Sequence, residues 1–193
     1  MRLAAIGVLV LSLVSVGWSQ KPAEAVHKGA WELGVWAGGG SGLGDRTDWH
    51  FFNAGARVAK VLTAERGGGW ARGHLLWAAD IIPVYYVMQP YKNTFGAGFT
   101  PIILNWTFTG HKKVVPFLEG GAGVLFTGYE VPPGTSNVNF TPQAGFGVHI
   151  FTRPHQAVTI TGRYEHISNA GQTTPNPGIN ATLQFRFGYT WFK

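Results

Sequence analysis

The feature that most constrains the fold is a two-residue alternation of apolar and polar side chains, which recurs along most of the chain. Near the C-terminus, large apolar residues occupy every second position from Leu183 to Trp191. Successive side chains of a β-strand point to opposite faces, so this pattern predicts strands with one apolar face and one polar face. Eight stretches follow it: 31–38, 52–58, 75–82, 102–108, 117–124, 140–150, 158–168 and 183–191.

Composition restricts where such strands can lie. Only 12% of the 193 residues are charged and 14% are aromatic, whereas charged residues make up about 25% of a typical soluble domain. Beyond the N-terminus, no stretch approaches the roughly 20 apolar residues that a membrane-crossing helix needs. The sequence therefore predicts an all-β protein, an eight-stranded antiparallel transmembrane β-barrel of the outer membrane, with apolar faces toward lipid and a polar lumen.

The N-terminus predicts the compartment. Arg2 precedes an apolar run from Leu3 to Val16, which has the length of a signal-peptide core and is short for a membrane anchor. Cleavage after Ser19 and cleavage after Ala25 both fit, and residues 26–193 then form a single barrel domain. The expected location is the outer membrane of a Gram-negative type of bacterium. The chain has no cysteine, which excludes disulfides and thiolate chemistry.

The connections between the stretches predict an orientation. Connections 109–113 and 152–156 are short and polar, whereas 38–48, 88–96, 128–137 and 170–178 are longer. Outer-membrane barrels have short periplasmic turns and longer external loops. With both chain ends in the periplasm, Ser168 lies at the outer end of the seventh strand, in the leaflet that contains lipopolysaccharide.

Charged residues recur on the polar face of the predicted strands. We expect them to form a network of opposite charges that fills an interior too narrow for a pore. The face of the third stretch is ambiguous, because both of its alternating sets, one of which includes Asp80, contain apolar residues. The predicted lumenal set is Glu32, Arg57, Glu119, Arg163, Glu165 and Arg186.

His166 and Ser168 form the candidate reactive pair. They are two residues apart in the seventh stretch, so they share its apolar face with Cα atoms about 6.6 Å apart. A serine hydroxyl becomes a nucleophile when a neighbouring histidine takes its proton. A polar pair facing hydrocarbon is costly unless it is partnered, which favours a hydrolytic site for a lipid. Glu165 points to the opposite face and is not expected to orient His166.

The segment from Tyr164 to Asn180 resembles the outer-membrane lipid A 3-O-deacylases, the PagL family. The match consists of His166-Ile167-Ser168-Asn169-Ala170-Gly171 followed by Pro175-Asn176-Pro177-Gly178. The resemblance implies an eight-stranded barrel with its active site on the lipid-facing surface. It implies His166 as general base, Ser168 as nucleophile, and Asn169 with Gly171 as oxyanion donors.

One departure from the family pattern bears on the candidate site. Family members have a glutamate after the motif, where this chain has Asn180. An amide oxygen can accept a hydrogen bond from histidine and fix its tautomer, although it cannot stabilise an imidazolium by charge. Strict alternation places Asn180 out of phase with Leu183, so reaching His166 requires a β-bulge or a loop conformation.

Together with this resemblance, the sequence predicts an outer-membrane carboxylic ester hydrolase that removes an acyl chain from lipid A. Two alternatives remain, namely a phospholipid acyl hydrolase and a non-catalytic structural or binding barrel. The expected partners are lipopolysaccharide and outer-membrane lipids, with a homodimer left open and no nucleic acid. The seven histidines are scattered, so no cofactor and no metal site is indicated.

Overall fold

A computed structural model describes residues 24–110 and 113–193, apart from the side chains of residues 180 and 181. Eight antiparallel strands close into a barrel, each pairing with the next and β8 with β1. Their bounds are β1 Trp31–Gly42, β2 His50–Val61, β3 His74–Met88, β4 Thr94–Thr107, β5 Val114–Thr127, β6 Val138–Arg153, β7 Gln156–Ile167 and β8 Ile179–Phe192. The predicted fold is confirmed, while the predicted signal peptide, residues 1–19, lies outside the described residues.

None of the helices in the described residues is long and apolar enough to cross a membrane.

Several strands are longer than the alternation predicts. β3 continues to Met88, beyond the predicted end at 82, and β4 begins at Thr94 instead of 102. Register shifts between Ile82 and Tyr85 and between Phe99 and Ile102 explain the difference. A β-bulge changes the phase of the alternation, so a strict two-residue period breaks off at a position where the strand itself continues.

The two faces follow the predicted polarity. Phe146 is 64% exposed and Phe187 61% exposed on the outer surface, whereas Arg163 is 1% exposed in the lumen. The ambiguous third stretch is also resolved, because Leu76 and Asp80 are both fully buried inside. Asp80 thereby joins the lumenal charges.

The ends of the barrel differ in their connections. At the terminal end, where Glu24 and Lys193 lie, the connections are 62–73, 108–113 and 154–155. At the distal end they are 43–49, 89–93, 128–137 and 168–178. The predicted alternation of short and long connections is wrong in two places. Connection 62–73 is the longest of all and lies at the terminal end, and bulged strand extensions shorten 89–93 to five residues.

The lumen is layered, which corrects the expectation of a polar interior. An apolar cluster with Val26 and Phe192 fills the terminal end, and a second, with Trp49, Tyr85 and Val131, fills the distal end. Charged and amide side chains lie between them. Since apolar clusters close both ends of the described barrel, its lumen is a packed core and not a channel.

Three arginines and two carboxylates form the middle layer. Arg57 Nε lies 2.7 Å from Asp80 Oδ1, and its Nη1 lies 2.7 Å from Glu119 Oε2. Arg163 contacts both carboxylates, and Arg186 Nη1 lies 3.2 Å from Asp80 Oδ2. Four of the six predicted members, Arg57, Glu119, Arg163 and Arg186, therefore form the network, with Asp80 at its centre because it contacts all three arginines. Glu32 and Glu165 are buried but form no ion pair among the described residues.

Candidate active site

The candidate reactive pair lies where β7 ends at the distal end of the barrel. Ile167 is fully buried in the apolar cluster at the distal end of the barrel, so its neighbours His166 and Ser168 lie on the outer side of the wall. Ser168 extends the pairing beyond β7. Its N–H donates to Phe140 O at 3.2 Å, and Phe140 N–H donates to Ser168 O at 2.7 Å. The rigid wall of the barrel thus fixes the backbone of Ser168.

Gly178 packs against both members of the pair. A Cβ atom at this position would lie 3.4 Å from Ser168 Cβ, 3.7 Å from His166 Cε1 and 3.2 Å from Ile167 O. The two side chains therefore border the same small space beside β8. Gly178 also has a φ of +59°, which a glycine adopts at no steric cost. The sequence motif alone did not indicate that Gly178 contacts Ser168 or His166.

We expect Gly178→Ala to lower esterase activity by about tenfold to a hundredfold, because misplacing catalytic groups by about 1 Å can cost 10²-fold. The added methyl group would press on Ile167 O and on the pair while adopting an unfavourable positive φ. Initial rates on a soluble short-chain ester would measure the loss. Gly134→Ala, also at positive φ but with open space around its Cβ, is the matched control and should keep most of the activity.

A tight turn follows Ser168. Gln172 N–H donates to Asn169 O at 3.0 Å, and the φ angles of Ala170 and Gly171 are 52° and 78°. Two successive positive φ values are those of a type I′ turn. An alanine in this region costs roughly 1–2 kcal/mol, so the surrounding contacts must hold Ala170 in place. Strain of this kind is common in active sites.

Asn169 supplies those contacts. Its side chain is buried, with Nδ2 donating to Thr173 Oγ1 at 2.6 Å and Oδ1 accepting from Gly171 N–H at 2.9 Å. Its own N–H donates to Asn176 Oδ1 at 3.3 Å. Both predicted oxyanion donors are thus engaged within the loop, and Asn169 acts as its organiser. Ala170 N–H, by contrast, has no acceptor in the part of the chain that the structure describes.

The loop is also braced by its neighbour. Thr173 Oγ1 donates to Thr135 O, 3.3 Å away in connection 128–137. Asn176 belongs to the motif that carries the family resemblance, but the motif gave it no role, and Thr135 and Thr173 were not singled out. The contacts of all three residues form only after the loop has folded.

Asn180 lies at an irregular position of β8. Pairing shifts between Glu165 opposite Thr182 and Ile167 opposite Ile179, so His166 faces two residues, 180 and 181. This is the β-bulge that the predicted contact requires. The side chain of Asn180 is outside the described residues, and its contact with His166 stays a prediction.

Glu165 faces the lumen, as the alternation predicts. It is 1% exposed, and its Oε1 accepts from Tyr85 Oη at 2.7 Å and from Gln184 Nε2 at 3.1 Å. The barrel wall separates this carboxylate from the outer surface. Glu165 is therefore unable to reach the candidate reactive pair, although it is adjacent to His166 in sequence.

A second serine–histidine pair occurs at the same end of the barrel. Ser41 of β1 and His50 of β2 are direct cross-strand partners, and 2.8 Å separates Ser41 Oγ from His50 Nδ1. Sequence reasoning missed this pair because its members are brought together by the hairpin. His50 is exposed, and no strained turn follows Ser41, so the pair lacks the support found at Ser168.

No three His, Cys, Asp or Glu side chains lie close enough to hold a metal ion in the described parts of the chain.

Known proteins resemble this chain in sequence family and in fold. A family model described as "Lipid A 3-O-deacylase (PagL)" matches residues 15–190. No curated protein matches the chain. The solved "outer membrane enzyme PagL" has 19% identity and a TM-score of 0.59, with 82% of this chain and 98% of that chain covered. The outer membrane protein OprG from Pseudomonas aeruginosa has 11% identity and a TM-score of 0.45, with 88% and 98% covered.

Proposed function

Because this chain belongs to the lipid A 3-O-deacylase (PagL) family, we propose that it is an outer-membrane esterase that removes an ester-linked acyl chain from lipid A by a Ser/His mechanism. The observation that carries the proposal is the placement of His166 and Ser168 against Gly178 on the outer surface of the barrel. A lipid can reach this surface from within the bilayer. The apolar clusters that fill both ends of the lumen favour such lateral access over entry through the barrel.

The reaction proceeds in two halves. Ser168 Oγ attacks the ester carbonyl carbon while His166 accepts the hydroxyl proton. The tetrahedral intermediate collapses, the sugar hydroxyl leaves with the proton from His166, and the acyl group remains on Ser168. Water from the external side then attacks the acyl-enzyme with His166 as base, which releases the fatty acid and restores Ser168.

The turn after Ser168 stabilises the oxyanion. Donors aimed at the developing negative charge are worth about 10²–10³ in rate each. Ala170 N–H is available at once, since it has no acceptor among the described residues. Gly171 N–H and Asn169 Nδ2 keep their partners within the loop and support the oxyanion site by holding the turn that presents Ala170 N–H.

Asn180 orients His166 in this mechanism. The bulge that places residue 180 opposite His166 supports the role, and the amide oxygen accepts the N–H of the ring nitrogen that faces away from Ser168. Asn180 is therefore a positioning residue that acts through His166.

We expect Asn180→Ala to lower kcat about tenfold with KM unchanged, because His166 loses its orienting acceptor. Asn180→Glu should raise kcat about tenfold, because a carboxylate also stabilises the imidazolium that forms. Steady-state kinetics on a soluble ester would separate kcat from KM. If both variants match the parent protein, Asn180 is not the orienting residue.

Mass spectrometry of the products tests the proposed function. Purified protein in detergent is incubated with lipopolysaccharide, and the expected result is a lipid A species lighter by one hydroxyacyl chain, together with the free hydroxy fatty acid. A parallel incubation uses glycerophospholipid in the same detergent. Fatty acid released from phospholipid, with lipid A unchanged, would select the phospholipase alternative. If fatty acid is released from neither lipid, the remaining alternative is a non-catalytic barrel.

A further inference from the structure

The two ends of the barrel carry very different charge. The terminal end has seven basic side chains against two acidic ones, Glu24 and Glu65, whereas the distal end has two basic and three acidic side chains among the described residues. The seven, which we name the basic ring, are Lys28, Lys60, Arg66, Arg72, Lys113, Arg153 and Lys193.

Most of this charge is uncompensated. In the described part of the chain, Arg72 is the one ring member with an acidic side chain within 4 Å, namely Glu65 at 3.6 Å. All members except Lys60 are exposed. The ring therefore presents a surplus of positive charge to whatever adjoins the terminal end.

The ring encircles the barrel. Its members precede β1, end β2, occupy connection 62–73, precede β5, end β6 and follow β8. A compact ligand would need the charges on one side, whereas a planar anionic surface contacts them all around the circumference. The spacing thus favours a membrane leaflet as the partner.

Aromatic side chains indicate the depth in the membrane at which the basic ring lies. Lipid-facing tryptophans collect at the terminal end: Trp31, Trp77, Trp106 and Trp191 lie on strands, and Trp70 is 76% exposed in connection 62–73. Such girdles mark the interface between hydrocarbon and headgroups. Lys60 Nζ lies 4.2 Å from the centre of the Trp31 ring, so the cations begin at the girdle and continue outward from it, where lipid phosphates lie.

We propose that the basic ring binds the headgroups of anionic glycerophospholipids in the leaflet at the terminal end. This inference is independent of the esterase chemistry, whose residues lie at the other end of the barrel. Each lysine or arginine near an anionic membrane surface contributes about 1 kcal/mol. The seven side chains of the basic ring therefore bind anionic lipid in preference to zwitterionic lipid. Salt weakens this preference.

The girdle tryptophans provide the measurement. The protein is reconstituted into phosphatidylcholine vesicles that contain phosphatidylglycerol, with bromine on the acyl chains of one lipid or the other. Tryptophan quenching then gives the relative affinity of the two lipids for the barrel surface. We expect phosphatidylglycerol to bind at least about threefold better. The preference should disappear in about 0.5 M salt, because the screening length falls from about 8 Å at 0.15 M salt toward about 3 Å at 1 M.

Two variants locate the effect. The ring variant combines Lys28→Gln, Arg66→Gln, Arg72→Gln, Lys113→Gln and Arg153→Gln, and should abolish the preference. The matched control, Arg46→Gln with Lys92→Gln, removes the two basic side chains of the distal end and should keep it. Retained barrel migration in unheated gels shows that both variants fold.

Three outcomes would overturn the proposal. Equal quenching by the two brominated lipids in the parent protein would mean that the ring does not select anionic lipid. An unchanged preference in the ring variant would assign it to other residues. Co-sedimentation with purified peptidoglycan that is lost in the ring variant, without any lipid preference in the parent, would identify a cell-wall polymer as the partner.

Discussion

Replacing Ser168 with alanine is expected to lower lipid A deacylation by at least about 10³-fold, because the acyl-enzyme cannot form without the hydroxyl nucleophile. The barrel should fold normally, since the bridge to Phe140 uses only backbone groups of Ser168. Mass spectrometry of lipid A, taken over a time course, gives the rate. A mass increase of one acyl group on Ser168 of the parent enzyme, trapped by acid quenching, would identify the intermediate directly.

Ser41→Ala is the matched control for this prediction. Ser41 also lies beside a histidine at the distal end. Its removal therefore tests whether the activity depends on this second serine–histidine pair. We expect the Ser41 variant to keep activity within about twofold of the parent, because ordinary surface substitutions are nearly neutral. The reverse result, an active Ser168→Ala and an inactive Ser41→Ala, would move the active site to the β1–β2 hairpin.

The largest expected effect on stability comes from Asp80. Replacing it with asparagine keeps the volume but removes the negative charge that contacts Arg57, Arg163 and Arg186. Leaving such buried charges uncompensated costs about 3–5 kcal/mol. Urea titration of the barrel refolded into vesicles, followed by tryptophan fluorescence, would report the free energy of unfolding.

Asp48→Asn provides the comparison, because Asp48 is exposed in connection 43–49 and its replacement should change the free energy of unfolding by less than about 0.5 kcal/mol. The role assigned to Asp80 would be wrong if the two variants unfolded at the same urea concentration.

The two-residue alternation was sufficient to predict eight strands and, for all of them except the third, the face that the strand turns to lipid. It succeeded in β8 because the pairing there with β1 runs without a register shift from Leu183 to Phe192. It failed along β3 and β4, where bulges change the phase within a strand. The face of Asp80 was undecidable from sequence, because the pattern of apolar neighbours was the same on both sides.

The candidate site, like the strands, could be predicted from the sequence only in part. The spacing of His166 and Ser168 placed both on one face, and the opposite orientation of Glu165 followed from the same rule. The contacts of Gly178 with both side chains, and the hydrogen bonds by which Asn169 holds the following turn, join residues up to twelve positions apart. Such contacts depend on how the loop closes, and local pattern carries no information about that.

Strand periodicity is a local property of the chain, so the amino-acid sequence was enough to predict a barrel with a candidate reactive pair on its lipid-facing side. Three further points followed only from the folded barrel. Asp80 lies inside and joins three arginines, Asn169 organises the loop that was expected to supply oxyanion donors, and basic residues from separate parts of the chain form one ring at the terminal end. Each depends on strand register and barrel closure, which bring together residues that are distant in sequence.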